Sequence, residues 1–451
     1  MASLPITRFD LSFYHEELDI HPRNVFIAGG STRAVAQSVA RLQGQMTRDG
    51  QRSSWGKVYC ADPFGDHDTA QIAEFIKLPQ FSDDSHLYHS ANRLDEKKIC
   101  NSLALYTGAM EFRFEQIEYL EHHTQLLGNS SQTLQRLANK PDLFRGLEDA
   151  GLRVPQWCLP EELASWTGEM GYANVLGKKF HSFGGLQVKE LGGSSDLSNP
   201  DFDWFQQKLM GKDLSAAFVR IATGTNTRLE CLGFSRPLVG DKRFHSQGYK
   251  YTGSMTANHL SSDEDENQEL IEKVMQLADY VGGEYDLIGL FNLDLHVVDG
   301  QVYFLEVNPR ISASMELFER QGNCNLFALQ WFACRGQGID SKKSCCQPTA
   351  RDEQWRKSSK MIAKQPTDLP VYGKAVWYAD RPIRVGESFP DMACQQFNSA
   401  GFPRIADIPP ARQMIEVDSP VFTVFAEGEC EDEVAEKLLE TARMFDSQID
   451  S

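Results

Sequence analysis

Two alternating strand patterns joined by an Asp-Gly dipeptide constrain the fold of this chain more than any other feature. Residues 290–310 have the sequence LFNLDLHVVDGQVYFLEVNPR, and Asp299-Gly300 within them is the strongest short-range signal for a β-hairpin in the chain. Side chains alternate between the two faces of a strand, so one hairpin face is predicted to be polar and the other apolar. The predicted polar face carries Asn292, Asp294, His296, Glu306, Asn308 and Arg310, and the predicted core face carries Leu293, Leu295, Leu305 and Val307.

The polar face of the hairpin has the composition of a site for a hard cation. The turn brings Asp294 close to Glu306, and the amide oxygen of Asn308 lies beside them. Mg²⁺ prefers oxygen ligands and commonly shares one or two carboxylates with nucleotide phosphates. Arg310 offers a planar fork of donors for a carboxylate or a phosphate. The alternatives are a solvated sheet face with a surface ion pair and, for His296, a role as a base or simply as a polar hairpin residue.

Length and charge limit the class of protein. A chain of 451 residues is long enough for two or three domains. The net charge of -18 disfavours nucleic acid as a partner, because an acidic surface repels phosphate backbones. No stretch reaches the roughly 18 apolar residues of a membrane-spanning helix, and the first residues lack a signal-peptide pattern. The scattered cysteines favour free thiols in a reducing compartment. We therefore expect a cytoplasmic protein with small-molecule substrates, no membrane partner and a homodimer as the default assembly.

The first part of the chain has the pattern of an open parallel α/β unit. Strands are predicted at Val25–Ala28, 58–61 and Leu103–Tyr106, and a glycine turn and a helical pattern follow the first strand. Ser31 and Arg33 come directly after that strand, where open α/β sheets gather ligands, so they are candidates for binding the second substrate. Turn residues that cap a helix and a strand are an equally favoured alternative. The glycine turn lacks a full GxGxxG motif, which leaves a dinucleotide-dependent oxidoreductase as a distant hypothesis.

The remainder of the chain divides into further parts. An amphipathic helix begins at Lys140, and strands then alternate with glycine-rich turns. The stretch 336–367 is polar and rich in Lys, Arg, Ser and Gln, which predicts a linker or a long surface loop. A smaller β-rich unit follows and ends in a helix near the end of the sequence. The predicted boundaries are 1–125 for the first domain, 126–335 for the second, 336–367 for the linker and 368–451 for the last domain.

The hairpin resembles the metal-binding strand pair of the ATP-grasp superfamily. The resemblance implies that Asp294, Glu306 and Asn308 hold Mg²⁺, or alternatively Mn²⁺, against the phosphates of ATP. It also implies catalytic roles for Arg310, which faces the substrate or an acyl phosphate, and for Lys178. The residues that the resemblance assigns to ATP binding are Lys140, Lys178, Ser182, Gly184, Gly185, Gln206, Gln207 and Leu209. The segment 204–211 resembles the family's linker beside adenine, but the family usually has an acidic residue where this chain has Gln207 or Lys208.

The chain is more closely similar to one subgroup, the predicted ATP-dependent carboligases that are distantly similar to biotin carboxylase. That subgroup is often associated with tetrahydromethanopterin-linked one-carbon metabolism. The resemblance implies an α/β (α+β) chain with an N-terminal open parallel α/β domain, an ATP-grasp core and a small C-terminal β-rich domain. Ser312 and Ser314 follow Arg310 and are candidates for the acceptor site, with capping of the next helix as the alternative. The similar segments are 29–34, 61–66, 106–111, 211–218, 372–375, 406–409 and 423–426.

The reaction expected from this resemblance is ATP-dependent formation of an amide from a carboxylate and an amine through an acyl phosphate. Such chemistry depends on positioning and charge neutralisation more than on a nucleophilic side chain. One alternative is carboxylation through carboxyphosphate, which bicarbonate-dependent release of ADP would identify. Another is a regulatory protein that binds ATP without turnover. The sequence pattern identifies neither the carboxylate nor the amine.

Overall fold

Parallel sheet in the first part of the chain and antiparallel sheets in the rest give a mixed α/β architecture, the fold class that the sequence predicts. The predicted linker at 336–367 lies outside the part of the chain that the computed structural model describes. The described residues are 23–48, 56–78, 99–100, 102–182, 184–192, 202–223, 226–322, 324–334, 369–399 and 401–450.

The N-terminal sheet has five parallel strands in the order β3-β2-β1-β4-β5. Its central strands are apolar throughout, because side chains from other elements cover both of their faces. The predicted bounds of the first and fourth strands agree with the observed ones. The elements are β1 (Val25–Ala28), α1 (Arg33–Arg48), β2 (Val58–Asp62), α2 (His67–Ala70), β3 (Glu74–Lys77), β4 (Leu103–Tyr106), α3 (Phe114–His123) and β5 (Gln125–Leu126).

A small antiparallel sheet with the order β6-β9-β7-β8 follows. The helix that precedes it begins at Lys140, where the side chain of Asn139 accepts a hydrogen bond from the Asp142 backbone and Pro141 occupies the first turn. Phe144 of this helix packs edge-on against Trp204 of the small sheet, which ties the helix to that sheet. The elements are α4 (Ser131–Ala138), α5 (Lys140–Asp149), β6 (Trp157–Cys158), α6 (Leu163–Met170), β7 (Val175–Lys178), β8 (Val188–Glu190) and β9 (Trp204–Gln207).

The large antiparallel sheet has eight strands in the order β14-β13-β10-β11-β12-β15-β19-β17. A long helix, α7, covers one face of β10 and β13, and the apolar helix α9 covers the other face and packs against α1. None of the described helices is long and apolar enough to cross a lipid bilayer. The elements of its first half are β10 (Lys212–Thr223), β11 (Asn226–Val239), β12 (Tyr251–Ala257), α7 (Glu264–Glu284), β13 (Gly289–Val298), β14 (Gln301–Asn308), α8 (Met315–Arg320) and α9 (Leu326–Cys334).

The predicted hairpin forms, but a bulge changes its core face. Asp299 and Gly300 both have positive φ, 47° and 69°, as the tight hairpin turn requires. The register shifts between Asp294 and Leu295, so that the opposite strand carries one extra residue, Leu305. Leu305 is therefore only partly buried, and Phe304 occupies the core position. The prediction that Leu305 faces the core was wrong, because strict alternation does not survive a bulge.

Three of the C-terminal strands, β15, β19 and β17, extend the large sheet, and β16 and β18 pair with each other in a separate two-stranded sheet. Strand β12 pairs with β15 in antiparallel register, with Gly253 opposite Ala375. A Cβ on Gly253 would lie 2.1 Å from the carbonyl oxygen of Lys374, so the close approach of these strands requires glycine. The predicted boundary at 368 thus falls within one continuous sheet. The remaining elements are β15 (Val371–Tyr378), β16 (Ile383–Arg384), α10 (Phe389–Cys394), β17 (Ile405–Ala406), β18 (Met414–Ile415), β19 (Pro420–Gly428) and α11 (Glu431–Asp446).

A buried group of charges joins the N-terminal sheet, the large sheet and the C-terminal elements. Glu316 in α8 accepts hydrogen bonds from Arg33 at 2.5 and 3.2 Å, and also from Lys374 of β15. The Arg33 guanidinium also donates to both oxygens of Asp407, at 2.9 and 3.0 Å. Burial would raise the pKa of Glu316, but the charges of Arg33 and Lys374 hold it well below its usual range.

The substitution Glu316→Gln should lower the free energy of unfolding by about 3 kcal/mol or more, because it leaves two buried cations short of a counter-charge. A carboxylate with a depressed pKa stabilises the fold fully above its unfolded-state pKa of about 4.3, and loses this effect as the pH falls. The difference from the wild-type protein should therefore shrink in acid. Urea unfolding at several pH values measures it, with the exposed Glu436→Gln in α11 as the control. Equal stability of wild type and Glu316→Gln at neutral pH would contradict the assigned role.

Candidate active site

The carboxylates of the hairpin lie side by side on its polar face. Asp294 pairs directly with Glu306 across the hairpin, and Asn292 pairs with Asn308. One oxygen of Asp294 accepts hydrogen bonds of 2.9 Å from Ser215 and from Asn292, and its other oxygen accepts one of 2.8 Å from Asn308. The strand register thus brings together the three residues that the sequence predicts as metal ligands.

Burial raises the pKa of both Asp294 and Glu306. Two partly buried carboxylates at one place favour a cation that offsets their charge. The amide oxygen of Asn292 is buried beside them and has no hydrogen-bond partner among the described residues. All of these candidate ligands are oxygens, which is the donor set that Mg²⁺ prefers. No group of three or more His, Cys, Asp or Glu among the described residues is arranged to hold a metal ion, so amide oxygens and substrate phosphates would complete such a site.

Two lysines face these carboxylates from the neighbouring small sheet and helix. Lys178 ends β7, and its ammonium donates a 2.6 Å hydrogen bond to the side-chain oxygen of Gln206 and lies 5.2 Å from the centre of the Trp204 ring. Burial lowers the pKa of Lys178 to about 8, and the charge of Glu306 partly offsets this. Lys140 at the start of α5 is buried, and its charge lowers the pKa of Glu306. The predicted lysines and carboxylates therefore share one electrostatic environment.

The glycine-rich loop packs against the chain that leads into β12. Gly184 and Gly185 have positive φ, 62° and 73°, and the backbone N–H of Tyr251 donates to the carbonyl of Gly184 at 3.0 Å. A Cβ on Gly185 would lie 1.7 Å from the carbonyl oxygen of Tyr249, so this approach requires glycine. Ser182 donates to the carbonyl of Lys179 at 3.4 Å. The loop is in place beside Lys178, and its role in binding ATP stays a prediction.

The predicted adenine segment continues from β9. Gln206 is buried; its oxygen accepts from Lys178, and its amide nitrogen has no partner in the described part of the chain. Gln207 ends the strand and pairs with Val175, and Leu209 lies just beyond it, partly buried. Lys208 donates a hydrogen bond to Glu190 at 2.7 Å, and this ion pair neutralises its charge. Within this segment, Gln206 is thus the side chain that accepts a hydrogen bond from Lys178, and it carries no charge.

Sequence reasoning missed Glu111, which holds Arg310. One carboxylate oxygen of Glu111 accepts from Nε of Arg310 at 2.8 Å and lies 2.7 Å from its Nη2. Nη2 also donates to the amide oxygen of Asn308 at 2.9 Å, so Arg310 bridges the hairpin and the N-terminal domain. The other oxygen of Glu111 is buried without a partner among the described residues. One weak indication of Glu111 was present in the sequence, because Glu111 ends the segment 106–111, which is similar to the subgroup.

The predicted substrate residues have different surroundings. Ser31 is exposed, and its carbonyl accepts from Thr107 at 2.9 Å. Arg33 is buried and engaged by two carboxylates, which leaves a structural role in place of the predicted contact with substrate. Ser312 and Ser314 lie 3.2 Å apart through their hydroxyl oxygens, and Ser314 makes no side-chain capping bond to α8. Capping therefore does not explain Ser314.

His296 pairs with a neighbour instead of facing the carboxylates alone. Its Nδ1 lies 2.8 Å from a carboxylate oxygen of Asp213 in β10, and its Nε2 is buried with no partner in the described residues. The favoured interpretation, a polar residue of the hairpin, accounts for this geometry. A role as a base stays a hypothesis.

Two curated relatives resemble parts of this chain. It is 24% identical over 214 residues to the carbamoyl phosphate synthase large chain of Hyperthermus butylicus, a match that covers 46% of this chain and 19% of that one. It is 22% identical over 265 residues to an uncharacterized protein of Methanocaldococcus jannaschii, which covers 55% of this chain and 59% of that protein. The chain thus spans less than two thirds of the length of either relative.

Solved structures show the same fold over nearly the whole chain. The L-amino acid ligase from Bacillus licheniformis superposes with a TM-score of 0.60 at 13% identity, over 95% of this chain and 98% of that one. The N5-carboxyaminoimidazole ribonucleotide synthetase from Thermus thermophilus has a TM-score of 0.57 at 12% identity, with the same coverage of 95% and 98%. Residues 137–314 match the model of the ATP-grasp domain, which includes the hairpin, both lysines and the glycine-rich loop. The chain therefore contains an ATP-grasp domain, as its hairpin predicts.

Proposed function

We propose that this protein is an ADP-forming ligase that uses ATP to phosphorylate a carboxylate and then joins it to an amine. One arrangement carries the proposal. Asp294 pairs with Glu306, and the charges of Lys140 and Lys178 act on this pair. Arg310, which bridges Glu111 and Asn308, lies beside it. Carboxylates for a cation, lysines for phosphates and an arginine for the reacting group are the parts that phosphoryl transfer to a carboxylate requires.

In this proposal the residues act mainly by binding and neutralising charge. Asp294, Glu306 and the amides of the hairpin would hold Mg²⁺, which supplies positive charge to the phosphates of ATP when bound. Lys178 and Lys140 bind phosphate oxygens from the opposite side. These contacts orient the terminal phosphate toward the carboxylate substrate and exclude water from it. Mn²⁺ has a similar preference for oxygen ligands and is a substitute at the same residues.

Arg310 is placed to steady the carboxylate and the acyl phosphate that forms from it. Its contacts with Glu111 and Asn308 fix the plane of the guanidinium, which lowers the entropy lost when it binds an oxyanion. An amine then attacks the acyl carbon and forms the C–N bond. The C–O bond to the phosphate breaks, and phosphate leaves with the electron pair and takes up the proton that the amine loses. Ser312 and Ser314, which follow Arg310, are proposed to line the acceptor site.

The names of similar proteins support two versions of this chemistry. The L-amino acid ligase favours a carboxylate and an amine as substrates. A solved biotin carboxylase domain from Hydrogenobacter thermophilus, similar with a TM-score of 0.61 at 12% identity, is described in complex with MgADP and bicarbonate. Carboxylation of an acceptor with bicarbonate is therefore the second candidate function. The subgroup resemblance supports a role in one-carbon cofactor biosynthesis, which is part of the proposal. A cytoplasmic location and a homodimer are proposed as the general expectations from the sequence.

Release of ADP from Mg-ATP should depend on one carboxylate and one amine together. The test is a matrix of carboxylates, including glutamate and bicarbonate, against amines, with hydroxylamine added to trap an acyl phosphate as a hydroxamate. Hydroxamate with an organic acid identifies a carboxylate–amine ligase. Stimulation by bicarbonate alone identifies the carboxylase instead, and tight ATP binding without ADP release anywhere would overturn both in favour of a regulatory role.

The substitution Asp294→Asn should reduce ADP release by about 10²-fold or more, because it removes a carboxylate that the cation needs in the transition state. The free energy of unfolding of the Asp294→Asn protein should change little. The carboxylate of Asp294 is partly buried, and burial already raises its pKa. Steady-state kinetics and thermal unfolding measure the two effects. Asp265→Asn on the exposed first turn of α7 is the matched control. A normally folded Asp294→Asn protein with full activity would refute the assignment.

Nucleotide affinity should weaken as the pH rises through the pKa of Lys178, about 8, because only the ammonium form attracts phosphate. Between about pH 7 and about pH 9 the Kd for Mg-ADP should increase about tenfold. Isothermal titration calorimetry at both pH values measures this change. Lys178→Arg, whose charge does not titrate in this range, should bind independently of pH, while Lys179→Arg should behave as wild type. A pH-independent wild-type Kd would contradict the role of Lys178.

A further inference from the structure

A cavity of about 300 Å³ lies between the end of α8 and the C-terminal elements, and none of its lining residues belongs to the candidate active site. A volume of this order is near the lower limit of pockets that hold small metabolites. Its walls come from β15, β19 and α11 and from Asn398, Pro403 and Arg404. The side chains that decide its chemistry are Arg320, Arg404, Lys437, Tyr372, Glu427 and Glu440.

Arg320 is a buried cation without a counter-charge of its own. It is 8% exposed, and within the described residues it makes one hydrogen bond, from Nη1 to the carbonyl of Pro403 at 2.9 Å, and no ion pair. Burial lowers the pKa of Arg320 to about 9, although Glu316 and Glu319 nearby oppose this effect. A buried charge that is not paired is costly, and Arg320 is therefore short of a negatively charged partner.

The orientation of Arg320 leaves one edge available. Its guanidinium carbon lies 3.4 Å from the centre of the Phe425 ring, so the group stacks flat against that ring. The N–H groups of a stacked guanidinium point outward in its plane, away from the ring face. Because only Nη1 has a partner among the described residues, Nε and Nη2 remain as a fork for the two oxygens of a carboxylate or a phosphate.

Two arginines of the cavity, Arg320 and Arg404, make no ion pair with another described residue and are the groups that favour an anion. Arg404 and Lys437 add two cations to Arg320, against the carboxylates of Glu427 and Glu440. Glu427 already accepts a hydrogen bond from the hydroxyl of Tyr372, which uses part of its acceptor capacity. Arg404 is exposed, and its side chain makes no hydrogen bond or ion pair with another described residue.

Lys437 is the weakest of the three cations as a binding group. Its ammonium pairs with Glu433 at 2.7 Å and donates to the carbonyl of Glu427 at 2.9 Å. Its charge is therefore already neutralised, and it adds little to the binding of an anion. The two arginines are the groups that a ligand would contact.

We propose that this cavity binds a small oxyanion, a carboxylate or a phosphate, through the fork of Arg320 and the guanidinium of Arg404. The site is separate from the hairpin, because Arg310 and Arg320 lie at opposite ends of the segment that contains α8. The proposal does not depend on the reaction that the hairpin catalyses.

Calorimetric titration of the full chain with succinate and with inorganic phosphate tests the site, at an ionic strength matched with chloride and with Mg-ADP filling the nucleotide site. Wild type should bind at least one of the two anions in the millimolar range or more tightly. Arg320→Gln should weaken binding about tenfold or more, because it removes a charge-assisted fork. Arg404→Gln, an exposed change that does not endanger folding, should weaken binding several-fold. Arg384→Gln, which changes an exposed side chain of β16 outside the cavity, should bind as wild type.

The pattern of loss identifies the site and the ligand class. Binding of succinate alone assigns a carboxylate ligand, and binding of phosphate alone assigns a phosphate ligand. If Arg310→Gln abolishes binding while Arg404→Gln retains it, the anion occupies the active site and the proposal is wrong. Absence of binding by wild type in the millimolar range, or unchanged binding by both Arg320→Gln and Arg404→Gln, also overturns it.

Discussion

The register of β13 against β14 fixes the geometry of the candidate site. Pairing Asp294 with Glu306 places two carboxylates on one face, and the amides of Asn292 and Asn308 flank them. A slip by one residue would turn every one of these groups toward the core. The Asp-Gly turn sets the register at one end, and the bulge at Leu305 lets Phe304 fill the core without moving Glu306 from the polar face. The hydrophobic core and the polar face are therefore two results of the same pairing.

A second constraint brings distant parts of the chain to this hairpin. Glu316 lies six residues after Arg310 and is held by cations from the first and the last thirds of the chain. The same contact that anchors α8 thus fixes the N-terminal sheet near the hairpin. Glu111 lies in a short helical turn, Met110–Phe112, that follows β4 of that sheet, and from there it contacts Arg310. Buried ion pairs contribute little net stability compared with apolar residues of the same volume, so their effect here is to define one relative position of three units.

The parts of this arrangement that could be predicted are those that depend on local sequence. Alternating side chains and an Asp-Gly turn predict the hairpin, and a cap and a proline predict the start of α5 at Lys140. The missed features depend on contacts between distant residues. Nothing near Glu111 in the sequence indicates that its partner is Arg310, and nothing near Lys374 indicates that β15 continues the large sheet. The bulge was missed for a different reason, since periodicity has no signal for one inserted residue. For Arg33 both interpretations stayed open at the level of sequence, because a strand end in an open sheet gathers both ligands and structural ion pairs.

The neutral side chain of Gln206 has a consequence for the lysine of β7. Lys178 donates a hydrogen bond to the amide oxygen of Gln206, which lies just before Gln207 and Lys208, the positions where the resemblance leads one to expect an acidic residue. A carboxylate at that place would offset the burial of the ammonium and raise its pKa. An amide accepts the hydrogen bond without supplying charge, so burial dominates and the pKa of Lys178 falls to about 8. Under the proposed function, a bound phosphate supplies the negative charge that Gln206 does not, in addition to that of Glu306. Lys178 would then gain more from the nucleotide than a lysine already paired with a carboxylate.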